Sequence, residues 1–317
     1  MPPTCRSSLV NLQNIDFEDS TYALAPEGAR LPSERLLASI ARSGILHPPI
    51  LKEQGTALLQ LVAGRRRLLA AQQTRQLVST VCLILPKETS PAEALAVSLE
   101  ETLLRGEASV IEQAIFFAKM VELVGEEKAC AFLPQLGLEP HPVNGKKLLQ
   151  LLSLEDPLLL ALHQGFLHEG VARELLQCSF TDRLSLFEVM ELLKLSASNQ
   201  KKLSVTCREL AARSGTTVMA ILGRPEAREI LAQAGEGNIP QKTARLMQWL
   251  GGLRSPRLHE AELDFRRFTT ALGLPPSARL GHSPSFEEDR VELTLAFKNR
   301  EELARLWPGL ATALRKD

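Results

Sequence analysis

The N-terminal third of the chain alternates between short apolar runs and amphipathic segments. Apolar positions that alternate or form short unbroken runs predict strands at 9–15, 49–52, 58–62 and 77–85. Apolar positions three and four apart predict helices at 31–43, 66–74 and 91–104. Ser33 is a suitable N-cap for the first of these helices, and Gly44 is suited to end it. Helices interleaved with short strands predict a mixed α/β domain that ends near residue 105.

Helical periodicity dominates the rest of the chain. It predicts helices at 109–124, 126–136, 144–152, 157–163, 168–177, 182–195, 205–214, 224–234, 241–250, 259–272 and 301–307. A strand is predicted at 290–297, and a loop rich in Pro, Gly and Ser at 273–285. The stretch 235–240 contains glycine and proline and predicts a domain edge. We therefore expect three domains, at 1–105, 106–235 and 236–317.

The predicted fold class is α+β. A small mixed α/β N-terminal domain would be followed by an all-helical region and a small α+β C-terminal module. Aromatic residues make up only 4% of a chain that is 44% hydrophobic, which favours helices over an all-β architecture. The formal net charge is zero, which argues against strong non-specific DNA binding but leaves room for a local basic patch.

The cysteines and the apolar runs bear on where the protein works. Five cysteines are scattered without a C-x-x-C pair, which indicates reduced thiols and neither a disulfide framework nor a metal site. The sequence shows no secretory signal and no apolar run of the length that a membrane span requires. We therefore expect a cytoplasmic protein with no membrane partner.

The first candidate site is the predicted strand-to-helix junction at Gly64, Arg65, Arg66 and Arg67. Glycine lets the backbone approach a ligand closely, and the first N–H groups of a helix favour anions. Arginine forks match phosphate oxygens, so a bound phosphate would explain three cations at a helix N-terminus, where the helix dipole disfavours them. The alternative is a solvated basic turn that pairs with nearby acids.

The second candidate site is the end of the predicted helix 91–104, at Glu101, Thr102 and Arg105. Arg105 could reach a phosphate, and the oxygens of Glu101 or Thr102 could hold a cation. The alternative is an ordinary charged helix terminus.

These pieces, taken in order, resemble the N-terminal domain of the ParB family of chromosome-partitioning proteins. That family has a helix ending in S-I-x-x-x-G, then P-I, G-E-R-R, E-N-x-x-R, and a helix opening with N-P-I-E-x-A. The matching segments lie at 39–44, 49–50, 64–67, 101–105 and 109–114. The order and spacing are more specific than any one piece, and the resemblance covers about residues 9–180.

The resemblance implies a CTP-binding switch that closes as a clamp on DNA, with CTP and Mg²⁺ as cofactors. The candidate nucleotide-binding residues are Gly64, Arg65, Arg66, Arg67, Glu101, Thr102 and Arg105. By similarity, Gly64, Arg66, Arg67 and Arg105 would contact the triphosphate. The family's Glu in G-E-R-R is Arg65 here, and its Asn, implied in magnesium binding, is Thr102. We expect phosphate binding to survive these departures and nucleotide hydrolysis to be weak at most.

The helical region resembles the family's helix-turn-helix. Its first helix would begin near Phe132 and turn at Gly137, and Asn144, Lys146 and Lys147 on the next helix would face the DNA groove or the phosphates. Pro134 lies within the would-be first helix, where proline costs about 3 kcal/mol unless it is near an end. The alternative is therefore a structural remnant of the motif.

Three functional hypotheses follow. The first is a ParB-like, dimeric, nucleoid-associated protein that binds DNA in chromosome or plasmid partitioning or in transcription control. The second is a degenerate ParB-fold scaffold that binds protein and has lost nucleotide hydrolysis and specific DNA recognition. The third is an enzyme, because the same small domain resembles sulfiredoxin; that chemistry needs a cysteine directly after the glycine, where this chain has Arg65. We predict no catalytic residue and no metal ligand from the protein.

Overall fold

The computed structural model describes residues 5–55, 57–75, 77–232, 239–274, 278–283, 286 and 290–313. The chain divides into two compact units, Met1–Arg183 with Ser196–Lys201, and Leu184–Leu195 with Lys202–Asp317. Most of the domain edge predicted at 235–240 falls outside the described residues, so the three-domain division stays a prediction.

A five-stranded mixed sheet lies in the first unit. Its strands, in the order β1-β5-β3-β4-β2, are β1 (Arg6–Asn11), β5 (Ser79–Leu85), β3 (Ile50–Lys52), β4 (Leu59–Ala63) and β2 (Ile15–Asp16). The β1–β5 and β3–β4 pairs are antiparallel, and the β3–β5 and β2–β4 pairs are parallel. The single strand predicted at 9–15 is wrong, because a 3-10 turn at Leu12–Asn14, capped by the Asn11 side chain, divides it.

Eight helices of the first unit lie between these strands or follow them along the chain. They are α1 (Glu34–Ser43), α2 (Arg65–Thr74), α3 (Pro91–Leu103), α4 (Val110–Val124), α5 (Glu126–Cys130), α6 (Pro142–Leu151), α7 (Asp156–His163) and α8 (Glu169–Leu175). The predicted cap of α1 is confirmed, since the Ser33 hydroxyl accepts from the Leu36 N–H and Gly44 ends the helix at a φ of 68°. Ser90 and Ser109 form capping boxes at α3 and α4, which fix where these helices begin.

Among the described residues of this unit, two apolar clusters pack against the sheet. One joins the sheet to α1 and α2 through residues such as Leu61, Leu68 and Ile84. The other joins the sheet to α3 and α4, and extends to α6, through residues such as Val62 and Phe117. Leu61 and Val62 are neighbours in β4 but belong to different clusters, because successive side chains of a strand point to opposite faces. Strand β4 is therefore held by apolar packing on both faces, and this fixes the position of the loop that follows it.

The helix predicted at 126–136 is wrong in its second half. Helix α5 ends at Cys130, and a separate 3-10 helix covers Leu133–Leu136 with Pro134 in its first turn. Proline has no N–H to donate and fits only the first turn of a helix, so the chain must restart there. The turn predicted at Gly137 is confirmed by its φ of 75°.

Helix α6 packs against α4 through a glycine. A Cβ placed on Gly145 would lie 2.3 Å from the ring of Phe117, which is fully buried. No real side chain tolerates that separation, so the absence of a side chain at 145 lets the two helices approach each other.

The remaining elements lie at 180–313. They are α9 (Phe180–Leu192), α10 (Ala197–Ser214), α11 (Val218–Leu222), α12 (Pro225–Ala232), α13 (Ile239–Arg254), α14 (Pro256–Ala271), β6 (Ala278–His282), β7 (Val291–Leu295) and α15 (Arg300–Ala313). The loop predicted at 273–285 is wrong at β6, which pairs antiparallel with β7. Its strand signal is weak, because Gly281 interrupts a short alternation that is stabilised only by the partner strand. The two sheets among many helices confirm the α+β fold class.

Within the C-terminal module, the segment 256–313 has few buried contacts. The ring of Phe265 on α14 contacts that of His282 on β6 at a centroid distance of 4.7 Å. Yet none of its described side chains is buried, and Phe268 and Trp307 are more than half exposed. Across the described part of the chain, no helix is both long enough and apolar enough to cross a membrane.

Candidate functional site

A cavity of about 500 Å³ opens in the first unit beside the start of α2. Its lining comes from segments within 22–39 and 61–67, from Ser98, Thr102 and Arg105 around the end of α3, and from Glu112 and His163. The two candidate sites of the sequence therefore face one space.

The floor of this cavity is the turn between β4 and α2. Gly64 has a φ of 94°, a conformation that favours glycine. A Cβ at Gly64 would also lie 2.9 Å from the Cβ of Pro49. The backbone therefore passes tightly beneath the cavity, and the first N–H groups of α2 start there.

The three arginines of α2 have different partners. The Arg65 guanidinium donates to the carbonyl oxygens of Phe17 and Asp19, and burial, with the neighbouring Arg30, lowers its pKa. Arg67 donates to the His47 carbonyl at 2.6 Å and pairs with the Glu101 carboxylate. Arg66 is exposed, and its Nε donates to the Leu31 carbonyl at 3.2 Å. Arg65 and Arg67 thus stabilise the fold through their hydrogen bonds. Arg66 uses only its Nε–H in this way, and its other guanidinium N–H groups remain available for a ligand.

The end of α3 supplies the opposite wall. The buried Thr102 hydroxyl donates to the Ser98 carbonyl at 3.0 Å and accepts from Arg105 at 3.2 Å. Arg105 also donates through Nε to the Glu101 carbonyl at 3.2 Å, which folds its exposed side chain back over the helix end. Thr102 therefore positions Arg105.

Six of the seven predicted nucleotide-binding residues line the cavity: Gly64, Arg65, Arg66, Arg67, Thr102 and Arg105. Glu101 does not line it, because its carboxylate is turned to Arg67. That these residues bind a nucleotide stays a prediction.

Sequence reasoning missed several lining residues. Arg30 and Arg35 add two cations to the cavity wall. His163, at the end of α7, also lines it, and its Nδ1 lies 2.9 Å from the Ser109 hydroxyl and 4.0 Å from a Glu112 carboxylate oxygen. No local pattern in the sequence places a residue of α7 beside the start of α4; the proximity is tertiary.

Acidic side chains contribute little to the lining of this cavity. Glu112 is the acidic residue of the lining, and the described residues contain no group of three His, Cys, Asp or Glu side chains that could hold a metal ion. The cavity thus combines a cationic wall with a backbone turn, an arrangement suited to a polyanion.

The predicted DNA-binding residues lie on α6. Lys146 and Lys147 are exposed. Asn144 is half-buried, and its amide donates to the Glu139 carbonyl at 3.1 Å, so it also holds the turn before the helix. The Lys147 carbonyl accepts from Arg173 at 3.1 Å, which ties α6 to α8.

Comparison with curated proteins gives relatives named as chromosome-partitioning or nucleoid occlusion proteins, although no family model matches the chain. The chain is 31% identical over 153 residues to a probable chromosome-partitioning protein ParB of Neisseria meningitidis, covering 48% of this chain and 51% of that protein. It is 32% identical over 143 residues to a nucleoid occlusion protein of Geobacillus kaustophilus, covering 45% and 49%. The chain thus spans about half the length of the curated relatives it matches.

Among solved structures, the C-terminally truncated ParB of Caulobacter crescentus, complexed to the centromeric parS site, is 22% identical to this chain. The match covers 62% of this chain and 98% of that one, with a TM-score of 0.35. These relatives are named as a chromosome-partitioning protein and a nucleoid occlusion protein, and the motifs at Gly64 and Arg105 occur in the order of the ParB family. Over the matched residues, about half of its length, the chain is therefore ParB-like and divergent.

Proposed function

We propose that the chain is a DNA-associated protein of the ParB kind whose cavity binds a nucleoside triphosphate, with CTP as the nucleotide that the resemblance implies. The nucleotide would bias the closure of a dimer around DNA. The observation that carries the proposal is that the Gly64 turn and Arg105 line one cavity.

The size and charge of the cavity support this proposal. A volume of about 500 Å³ lies within the range of about 300–1,000 Å³ that small-molecule sites occupy. Arg66 and Arg105 are exposed and each has guanidinium N–H groups left for phosphate oxygens. Gly64 lets phosphate oxygens approach the first N–H groups of α2.

A magnesium ion would enter with the phosphates. Mg²⁺ in proteins is commonly held by one or two carboxylates together with substrate phosphates and water. Glu112 is the lining carboxylate, and the Thr102 hydroxyl already donates to the Ser98 carbonyl. When bound, the ion would neutralise phosphate charge, and the chain itself would supply few ligands.

A nucleotide panel read by thermal unfolding tests the proposal. CTP at about a hundred times its dissociation constant should add about 2.7 kcal/mol of stability. Arg66→Ala and Arg105→Ala should each remove most of that shift, whereas Arg42→Ala, an exposed arginine of α1 outside the cavity, should keep it. If no nucleotide shifts the wild-type transition, the proposal fails and a protein-binding scaffold becomes the better description.

We further propose that α6 faces DNA through Lys146 and Lys147. Both side chains are exposed on the helix that follows the Gly137 turn. Because the net charge is zero, we expect the contact with DNA to be weak and local. The affinity for parS-like duplexes should fall steeply as the salt concentration rises. A salt-independent affinity, or none at any salt concentration, would remove the partitioning role.

Self-association is proposed for the C-terminal module. An isolated two-stranded sheet is marginal in water, and no described side chain from 256 onward is buried. A second copy would cover Phe268 and Trp307. Sedimentation should give a dimer that Phe268→Glu dissociates; a wild-type monomer at all concentrations would overturn this part.

A further inference from the structure

One wall of the cavity has no regular secondary structure of its own. Residues Tyr22–Ala25 line the cavity in an irregular segment, 17–25, that follows β2. Irregular backbone keeps its place only when its polar groups find partners. The conformation of this segment must therefore be set by the elements around it.

Side chains from two helices donate hydrogen bonds to four consecutive carbonyl groups of segment 17–25. The Ser98 hydroxyl of α3 donates to the Tyr22 carbonyl at 2.9 Å. The Lys119 ammonium of α4 donates to the carbonyls of Ser20, Thr21 and Ala23 at 2.7, 2.8 and 2.9 Å. An ammonium has three N–H groups, so Lys119 spends its full donor capacity on one short segment.

We propose that Lys119 is a positioning residue that fastens α4 to the 17–25 wall and thereby sets the shape and affinity of the nucleotide cavity. Lys119 is not part of the cavity lining, so it acts through the wall rather than on the ligand. The proposal rests on the proposed function for the identity of the ligand, but the fastening can be tested without any ligand.

The electrostatic surroundings of Lys119 support this role. Burial, and to a smaller extent the neighbouring Arg30 and Arg65, lower the pKa of Lys119 to about 8 against the opposing effect of Asp19 and Glu122. Above that pH the amine has two N–H groups left for three carbonyls, so its hold on the wall weakens. An anion in the cavity would favour the ammonium, so nucleotide affinity should fall as the pH rises through about 8.

The contribution of Lys119 to global stability should move the other way over the same range. The unfolded chain, with an ordinary lysine pKa, binds more protons than the folded chain above about pH 8, so this group makes the free energy of unfolding rise with pH. A loss of nucleotide affinity over that window could then not be attributed to unfolding driven by the titration of Lys119.

Two measurements on the full chain test the proposal. Hydrogen exchange should show the amides of residues 20–25 exchanging at least about tenfold faster in Lys119→Met, because the carbonyls lose a charged donor. CTP titration should show a dissociation constant raised by about tenfold in the same variant. Lys119→Arg should restore both, and Lys128→Met, which removes an exposed lysine of α5, should change neither.

The outcomes separate this inference from the proposed function. If wild type binds no nucleotide, the proposed function fails, and unchanged exchange at 20–25 in Lys119→Met would overturn the fastening as well. If wild type binds CTP and Lys119→Met binds it equally, the inference alone fails. Should Lys119→Met not fold, the pH dependence decides: a wild-type affinity that stays constant from about pH 7 to about pH 9 overturns the inference.

Discussion

The cavity and helix α6 both carry cationic side chains, but the surroundings of these side chains differ. In the cavity, Arg65 and Arg67 donate to backbone carbonyls and to Glu101, and these bonds fix the walls around Arg66. On α6, Lys146 and Lys147 project from an exposed helix face. The first arrangement suits one polyanion of defined shape, and the second suits a row of phosphates that can be met in many registers.

These two arrangements separate structural charges from charges that are available to a partner. A cation that satisfies buried carbonyls contributes to stability, and its removal leaves those carbonyls without a donor. A cation on a solvated face contributes little to stability and is free to act on a partner. The same residue type should therefore give opposite phenotypes at neighbouring positions.

The largest effect is expected at Arg65. Arg65→Met should lower the free energy of unfolding by about 2 kcal/mol, because the carbonyls of Phe17 and Asp19 lose a charged donor. Arg66→Met should lower it by less than about 0.5 kcal/mol, since Arg66 is exposed. Urea unfolding measures both; equal losses would mean that the two arginines are not divided into structural and ligand-facing roles.

A matched pair of glycine substitutions examines how α6 is seated. Gly145→Ala should cost about 1–2 kcal/mol, because overpacking against Phe117 exceeds the gain in helix propensity. Gly251→Ala, in α13, should instead stabilise by about 0.5–1 kcal/mol, because a Cβ there meets nothing within 4 Å. Thermal unfolding of both variants checks the opposite signs. Stabilisation by Gly145→Ala would show that α4 and α6 leave room for a methyl group at position 145.

The smallest effect on stability is expected for Lys146→Ala with Lys147→Ala, at less than about 0.5 kcal/mol. The same double variant should reduce the slope of log affinity against log salt by about 2, if each lysine neutralises one phosphate. Fluorescence anisotropy with labelled duplex DNA measures the slope. An unchanged slope would place the DNA contact elsewhere.

Local signals in the sequence predicted the elements that frame the site. Ser33 and Gly44 bound α1 as expected, because a cap depends on a few neighbouring residues. The strand-to-helix turn at Gly64 was predicted for the same reason. By contrast, β6 was missed, because its alternation is short and its hydrogen bonds depend on β7.

The walls of the cavity could not be predicted in the same way. Lys119 contacts carbonyls 96 to 99 residues earlier in the chain, and Ser109 contacts a histidine 54 residues later. No periodicity encodes such pairs. The order of the family's motifs predicted that Gly64 and Arg105 belong to one site. Segment 17–25 has no periodicity or motif, so its place in the cavity wall could be found only from the structure.

The close approach at Gly145 has a practical consequence for altering the DNA contact proposed for α6. A combinatorial library on this helix could vary Val143, Lys146 and Lys147, whose side chains are exposed, without disturbing the core. Position 145 must stay invariant, since every other amino acid would push the helix away from Phe117. Variants with a new DNA specificity should therefore be sought by changing residues 143, 146 and 147 while Gly145 is kept.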